Sequence, residues 1–234
     1  MKLPSKTVEQ KLLTQYDHVI GVDEVGMGCL AGPVVVCAVS FNKEFFKKNN
    51  PKFNRLRESK LLLPHQREKF ANELVKEKSL RFKIAYCYSK TIDKINIYQA
   101  ARLAMRKAIA KLNQELGIRN NEKKKSENPD SRFIIHNSKI AVLIDGPSKI
   151  NGLSEKIYQV PIIKGDQKVF TIACASILAK VYRDKMMTKY SKKFPKYGFE
   201  KHKGYGTKDH LAKLAKFGPC AIHRQSFAPV GKLI

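Results

Sequence analysis

Short runs of apolar and β-branched residues punctuate the chain and are typical of buried strands. Three of these runs come early, at Val19 to Val25, Val34 to Phe41 and Arg81 to Tyr88. Two later runs, Ile140 to Asp145 and Ile157 to Ile163, have the same character. The pattern therefore predicts five strands.

Apolar residues recur at helical spacing in other stretches. Asn96 is a candidate N-cap, with Gln99 three residues on, and an apolar face follows it until Gly117. A second apolar face begins at Phe170, and a last helix is predicted from Thr207 to Phe217. These elements favour an α/β fold, a mixed β-sheet flanked by helices with a small C-terminal helical part.

Length and patterning bound the organisation of the chain. Its 234 residues are 43% hydrophobic, show no internal repeat and suit one domain, with a polar surface loop near 119–139. No apolar run approaches the roughly 18 residues of a membrane span, and the start lacks a signal peptide's apolar core. The five cysteines are scattered without a C-x-x-C pair, which argues against a disulfide framework or a zinc site. We expect a monomeric cytoplasmic protein.

Charge adds a class of partner to this picture. The chain has 46 Lys and Arg against 20 Asp and Glu, a net charge of +26. Such an excess favours a polyanionic partner, most often nucleic acid. A lysine-rich surface that only keeps the protein soluble is the alternative that charge alone leaves open.

Four acids stand out because each lies at or just beyond the end of a predicted strand: Asp23, Glu24, Asp145 and Asp166. In open α/β sheets, sites gather outside the carboxyl ends of strands. Converging carboxylates need cations between them, and oxygen ligands alone suit Mg²⁺ or Mn²⁺. Two such ions can clamp the attacking and leaving oxygens of a phosphodiester. Taken singly, each acid is more often structural than catalytic, and Asp145 and Asp166 could be turn formers, so only the joint placement favours a metal site.

The adjacent pair raises a geometric difficulty. Neighbours on a regular strand point to opposite faces, so Asp23 and Glu24 cannot both aim their side chains at one spot. Either the strand ends or kinks here, as Gly26 and Gly28 suggest, or one residue contributes its backbone carbonyl.

The stretch GVDEVGMGCLAGPVV resembles the opening motif of the ribonuclease HII family, D-E-x-G-R-G-x-x-A-G-P. The resemblance continues in family order through ESKLL, LIDG, KGD, IACASILAKVYRD, HKGYGT and HRQSFAPV, over nearly the whole chain. It implies an RNase H-like fold and an endonuclease that uses two Mn²⁺ or Mg²⁺ ions. The implied substrates are RNA/DNA hybrid, cut in its RNA strand, and duplex DNA containing ribonucleotides, cut on their 5′ side to leave 3′-hydroxyl and 5′-phosphate ends.

The resemblance also implies roles for individual residues. Asp23, Glu24 and Asp145 match the core metal ligands, and Asp166 matches the fourth acid. In this interpretation one ion activates the attacking water and the other stabilises the departing O3′.

Substrate contacts follow in the same way. Tyr205 matches the family's tyrosine that packs on the sugar at the RNA–DNA junction. Gly26 and Gly28 permit close backbone approach to the 2′-hydroxyl that distinguishes RNA from DNA. Met27 stands where the family has Arg, which puts in doubt the preference for a single embedded ribonucleotide. Lys60, in Glu-Ser-Lys where the family has Asp-Ser-Lys, could supply a phosphate contact instead.

Rival functions remain open at this point. A non-enzymatic RNA-binding protein would explain the charge without needing four acids. Another nuclease of the fold class, with ribonuclease HIII-like selectivity or resolvase activity, would share the acids. The last third of the chain is also lysine-rich, and we expect core packing for its aromatic residues and structural or phosphate-contacting roles for its histidines. These residues are Tyr190, Phe194, Tyr197, Phe199, His202, His210 and His223.

Overall fold

Five strands form one mixed sheet in a computed structural model that describes residues 3–117 and 139–233. The order across the sheet is β3-β2-β1-β4-β5; β1, β2 and β3 pair antiparallel, whereas β4 and β5 run parallel to β1. The predicted strands are confirmed to within a residue at each end. The predicted surface loop lies, apart from Lys139, outside the described residues. The strands are β1 (His18–Val25), β2 (Val34–Phe41), β3 (Leu80–Cys87), β4 (Ile140–Asp145) and β5 (Ile157–Ile162).

The helices predicted after Asn96, from Phe170 and near the C-terminus are confirmed. The Asn96 side chain accepts a hydrogen bond from the Gln99 N–H at 3.0 Å, as an N-cap does. The sequence did not reveal the polar helix α3, whose buried residues are Ala71 and Leu74. None of the described helices has the length and hydropathy of a membrane span. The helices are α1 (Thr7–Leu12), α2 (Lys43–Lys47), α3 (Pro64–Lys76), α4 (Ser89–Ile95), α5 (Ile97–Glu115), α6 (Gly165–Lys168), α7 (Phe170–Lys193), α8 (Phe199–His202) and α9 (Lys208–Phe217).

Helices α5 and α7 cover opposite faces of the sheet. Along β2, Val34 and Val36 belong to the cluster packed on α5, whereas Val35 and Cys37 belong to the cluster packed on α7. Side chains alternate between the two faces, and both faces are buried, so the strand is a continuous apolar run in the sequence. Burial on both sides fixes the central strands and hence the positions of the residues at their ends.

The C-terminal part forms a small layer against the loop between β1 and β2. Cys29 forms an isolated bridge with Tyr205, and Ala31 forms one with His223. The aromatic residues predicted to pack here do so in one cluster with Ala31 and Met187. They are Tyr190, Phe194, Tyr197 and Phe199.

Parallel pairing sets the location of the acids. Because β1, β4 and β5 run in the same direction, their carboxyl ends meet at one edge of the sheet. The loop that follows β1 and the short helix α6 that follows β5 lie at this edge.

Candidate active site

Three carboxylates converge at the carboxyl edge of the sheet. Asp23 in β1, Asp145 at the end of β4 and Asp166 in α6 each offer an oxygen, and these three atoms lie within 4.8 Å of one another. Asp23 and Asp166 are buried, and Asp145 is partly exposed. The predicted convergence of these three acids is therefore present in the fold.

Backbone amides orient two of the carboxylates. The Asp23 Oδ1 accepts from the Glu24 N–H at 2.7 Å, and the Asp145 Oδ1 accepts from the Gly165 N–H at 2.7 Å. A Cβ on Gly165 would lie 3.3 Å from the Asp145 Oδ1 and 2.7 Å from the Ile172 side chain. A glycine at this position lets α6 approach β4, and it brings Asp166 to the other two acids.

The carboxylates of this edge disturb one another electrostatically. Burial, then the charges of Glu24 and Asp145, raise the pKa of Asp23 well above its usual value, and a hydrogen bond with Ser176 offsets part of this. Burial and the Asp145 charge raise the pKa of Asp166 to about 6. A buried set of oxygen ligands with the same charge fits a hard divalent cation such as Mg²⁺ or Mn²⁺.

Glu24 stands beside the three clustered acids. Strand β1 continues to Val25, so the strand does not end at the acidic pair, and Glu24 is not part of the group defined by the 4.8 Å distance. Its Oε2 is buried and has no hydrogen-bond partner in the described residues. Burial and then the Asp145 charge raise the pKa of Glu24 to about 7, against a smaller opposing effect of Arg102. An unpaired buried oxygen next to the acids remains available to a cation.

The glycines after the acidic pair differ in what they do. Gly26 has φ +94°, and a Cβ there would lie within 2.4 Å of the Arg183 Nε, so the fold itself requires glycine. At Gly28 no atom lies within 4 Å of the position of a Cβ, which leaves open space beside the backbone. Between them, Met27 is half-buried against the core on the α5 face. Close approach of a substrate therefore concerns Gly28 more than Gly26.

Two fully buried arginines hold this loop, and the sequence reasoning assigned a role to neither. Arg183 lies outside the apolar stripe of α7, as its polarity predicts, yet it is 0% exposed; Arg224 belongs to the HRQSFAPV motif and is equally buried. Burial lowers the pKa of Arg224 to about 10, which keeps it charged at neutral pH. Both guanidinium groups donate to backbone carbonyls. The acceptors are the oxygens of Pro33, Lys203 and Ala31 for Arg183, and of Gly26, Met27 and Gly32 for Arg224.

A hydrogen-bonded chain of two histidines, His223 and His210, ends at the backbone carbonyl of Tyr205. The His223 Nδ1 accepts from the Cys220 N–H at 2.9 Å, so the hydrogen of a neutral His223 lies on Nε2 and is donated to the His210 Nε2 at 3.1 Å. His210 must then carry its hydrogen on Nδ1, which donates to the Tyr205 carbonyl at 2.9 Å. Burial lowers the pKa of His210, and it lowers that of His223 to about 4. Their burial supports the structural role over a phosphate contact.

The side chain of Tyr205 is partly open to solvent. The Lys180 Nζ lies 5.5 Å from the centroid of its ring, and burial raises the pKa of Tyr205 to about 12. Tyr205 lines a cavity of about 920 Å³ that follows α7 from Lys180 to Lys192. The Lys60 Nζ, in the segment between β2 and α3, lies 3.6 Å from the Glu58 carboxylate. Partial burial lowers the pKa of Lys60, but the charges of the surrounding carboxylates together have a larger effect and raise it above the usual value.

Comparison with known proteins gives a consistent result. The family model described as Ribonuclease HII matches residues 20–230. A Ribonuclease HII from Caldicellulosiruptor bescii is 45% identical over 221 residues, covering 94% of this chain and 91% of the relative. The Ribonuclease HII from Chlamydia caviae is 40% identical over 234 residues, covering 98% and 94%.

Solved structures share the fold at low sequence identity. The ribonuclease H2 from Pyrococcus horikoshii OT3 aligns with a TM-score of 0.67 at 21% identity and covers 92% of this chain and 96% of that one. Bst-RNase HIII in complex with Mn²⁺ aligns with a TM-score of 0.61 at 16% identity, covering 92% and 68%. Since the family model and the relatives cover nearly all of the sequence, the chain belongs to the ribonuclease HII family and is a metal-dependent ribonuclease H.

Proposed function

We propose that the protein hydrolyses the RNA strand of RNA/DNA hybrids and cuts duplex DNA on the 5′ side of embedded ribonucleotides, leaving 3′-hydroxyl and 5′-phosphate ends. The observation that carries this proposal is the group of Asp23, Asp145 and Asp166 within 4.8 Å at the carboxyl edge of the sheet. The net charge of +26 supports a nucleic-acid substrate, because a basic surface attracts the polyanion to this acidic site.

Four acids are proposed to hold two divalent ions, Mg²⁺ or Mn²⁺. They are the three clustered aspartates and Glu24, whose buried Oε2 has no partner in the described residues. When bound, the ions would supply positive charge to the attacking and leaving oxygens of the phosphodiester. The protein's own contribution is to keep the carboxylates fixed, through the amides of Glu24 and Gly165.

The loop after β1 is proposed to sense the ribose. Open space at Gly28 allows a backbone to come close, and the 2′-hydroxyl is the group that separates RNA from DNA. Arg224 fixes this loop through the carbonyls of Gly26 and Met27, which preorganises it. Tyr205 is proposed to pack on the sugar at the junction, and Lys60 to meet a phosphate.

The large cavity at Tyr205 is proposed to receive the duplex. Lysines line it along α7 over about 18 Å, since the twelve steps from Lys180 to Lys192 rise about 1.5 Å each. Such a basic groove suits the phosphates of a nucleic-acid strand. We further propose that the protein acts as a monomer in the cytoplasm; its five cysteines are free, which suits a reducing compartment.

Two substrates test this function. Cleavage of a duplex with a single embedded ribonucleotide is compared with cleavage of a continuous RNA/DNA hybrid, each with Mg²⁺, Mn²⁺ or EDTA. We expect metal-dependent cutting of both, with products ending in 3′-hydroxyl and 5′-phosphate. The Glu44→Gln variant is the matched control, because Glu44 is an exposed acid paired with Lys47 at 2.7 Å. If only the continuous hybrid were cut, the proposed cleavage at embedded ribonucleotides would be wrong. If cutting continued in EDTA, the proposed role of divalent ions in hydrolysis would be wrong.

A further inference from the structure

A second basic surface lies apart from the cavity at Tyr205. A cavity of about 610 Å³ opens between the segment from residue 51 to 62 and helix α3. Four cations line it, and none of its described lining residues is acidic. We call this surface the basic pocket. Its cations are Lys52, Arg55, Arg57 and Lys69.

The cations of the basic pocket are not paired in salt bridges, although Lys52 interacts electrostatically with Glu77. All four cations are exposed, and none of them forms a salt bridge with a carboxylate in the parts of the chain that the structure describes. Gathering four like charges without salt-bridge partners costs free energy, which a bound polyanion would recover. Leu61 and Phe70 give the cavity apolar walls between the charges.

The segment that carries the pocket is held firmly in place. Phe53, Leu56 and Leu62 are buried in the core between the sheet and α7, while the charged residues between them face outward. Arg67 of α3 donates to the Ser59 carbonyl at 2.8 Å, and the Ser176 and Ser59 hydroxyls are hydrogen-bonded to each other at 2.9 Å. The cations therefore start from a fixed backbone, which reduces the entropic cost of binding.

The same segment connects the pocket to the acids. The Gln167 side chain, next to Asp166, donates to the Glu58 Oε2 at 2.7 Å. The charges of the acids act to raise the pKa of Lys60, so Lys60 lies near them. Arg57 precedes Lys60 by three residues. Three residues span at most about 10 Å between Cα atoms. At about 3.4 Å per base pair, the pocket therefore begins within roughly three base pairs of Lys60.

We propose that the basic pocket binds the phosphodiester backbone of the duplex on one flank of the cut, beginning within about three base pairs of Lys60. The position of this flank rests on the proposed function, because the acids fix where the scissile phosphate lies. The occupant is an extended backbone because the cations are spread over an open, partly apolar surface beside the acids.

The salt dependence of binding is the first test. The variant combines Arg55→Gln, Arg57→Gln and Lys69→Gln, and the probe is an all-DNA duplex in EDTA, so that no cleavage is needed. Removing one cation that neutralises a phosphate lowers the slope of log K against log salt by about one, and we expect a total reduction of about three. The control variant combines Lys111→Gln, Lys139→Gln and Lys156→Gln. Lys139 and Lys156 directly precede β4 and β5, at the opposite edge of the sheet from the acids. Its slope should change by less than about one.

The length of each flank is the second test. Duplexes with one ribonucleotide are trimmed to about three base pairs on one side or the other, and kcat/KM is measured with Mg²⁺. Trimming one particular side should lower kcat/KM of the wild type about tenfold but that of the triple variant less than threefold, because the variant already lacks the cations that bind this flank. Trimming the other side should affect both proteins equally.

The outcomes separate this proposal from the proposed function. If the wild type fails to cut the embedded ribonucleotide, the proposed function is at fault, and the salt slope still reports on the pocket. An unchanged slope in the triple variant would overturn the pocket as a duplex site. So would binding of inorganic pyrophosphate that the triple variant loses while its duplex binding stays intact.

Discussion

The acid edge and the C-terminal layer both bury polar groups, but they treat them in opposite ways. At the acid edge, burial and then the neighbouring carboxylates raise the pKa values of Asp23 and Asp166, and an oxygen of Glu24 has no partner among the described residues. In the C-terminal layer, Arg183 and Arg224 donate repeatedly to carbonyls, and the histidines form a continuous chain.

The two regions differ in what their buried polar groups do for the structure. Satisfied buried polar groups rigidify a structure, and here they fix the loop from Gly26 to Gly32 and the backbone of Tyr205. Unsatisfied like charges store an electrostatic penalty that a cation can remove. The C-terminal layer therefore positions the proposed substrate contacts, and the acid edge has the charge and burial that suit the proposed metal site. Substitutions confined to one region should therefore affect either metal-dependent cleavage or the stability and geometry of the loop.

The largest effect is expected from neutralising an acid. Asp23→Asn or Asp145→Asn should lower the rate of hybrid cleavage by at least about 1000-fold, because metal charge contributes several kcal/mol to the transition state. Folding and hybrid binding should persist, as circular dichroism and fluorescence anisotropy can show. Near-normal turnover of either variant at saturating Mn²⁺ would contradict the assignment.

Removing a buried guanidinium should come next. Arg224→Met leaves the carbonyls of Gly26, Met27 and Gly32 without their donor, and we expect a decrease of about 3–5 kcal/mol in the free energy of unfolding. For a chain of this length, that lowers the melting temperature by about 6–20 °C. Urea titration measures it. The exposed Arg55→Met is the control, and equal stability of the two variants would show that Arg224 does not hold the loop.

Acid should weaken the histidine chain. The pKa of His223 is lowered to about 4 in the folded protein, so between pH 6.5 and 4 the unfolded chain binds a proton that the folded one does not. Stability contributed by this residue is complete above pH 6.5 and falls by roughly 2–3 kcal/mol as the pH drops to 4.

The comparison that isolates this effect is wild type against His223→Gln. Glu9, whose pKa burial raises to about 7, acts in the opposite direction in the same pH range, but it is common to both proteins. The pKa of His210, the partner of His223 in the chain, is affected by its own neighbours: burial, His202 and Lys213 lower it, whereas Asp209 raises it. The difference in unfolding free energy between the two proteins should shrink on acidification. A constant difference would mean that His223 does not titrate with folding.

The smallest effect concerns selectivity. Met27 presents a thioether where a guanidinium could contact a phosphate, and a charge-assisted hydrogen bond is worth roughly 1.5–3 kcal/mol. Met27→Arg should raise the ratio of kcat/KM for a single ribonucleotide over continuous hybrid by about tenfold, with little change in rate on hybrid. Assays on both substrates measure it, and an unchanged ratio would show that another cation, such as Lys60, already makes the contact.

The sequence predicted the parts of the molecule whose environment is uniform. Strand β2 is buried on both faces, so its apolar run identified it, and the spacing of α5 identified that helix. Helix α3 was not predicted because most of its residues are polar and only Ala71 and Leu74 are buried. The burial of Arg183 could not be foreseen, since its carbonyl acceptor in Pro33 lies 150 residues away in the chain. The convergence of Asp23 with Asp145 was expected from their places at strand ends. The displacement of Glu24 from the group follows from the alternation of side chains along β1, which continues through Glu24 to Val25.

The central claim is that the acid edge is destabilised by its own charges until a divalent cation binds. Thermal melting of wild type and Asp145→Asn, each in EDTA and in Mn²⁺, tests it directly. The account predicts that Asp145→Asn melts above wild type in EDTA, and that Mn²⁺ raises the wild type by about 5–10 °C at about 100 times its dissociation constant. The variant should gain little. A variant that melts below wild type in EDTA and gains as much from Mn²⁺ would contradict the account.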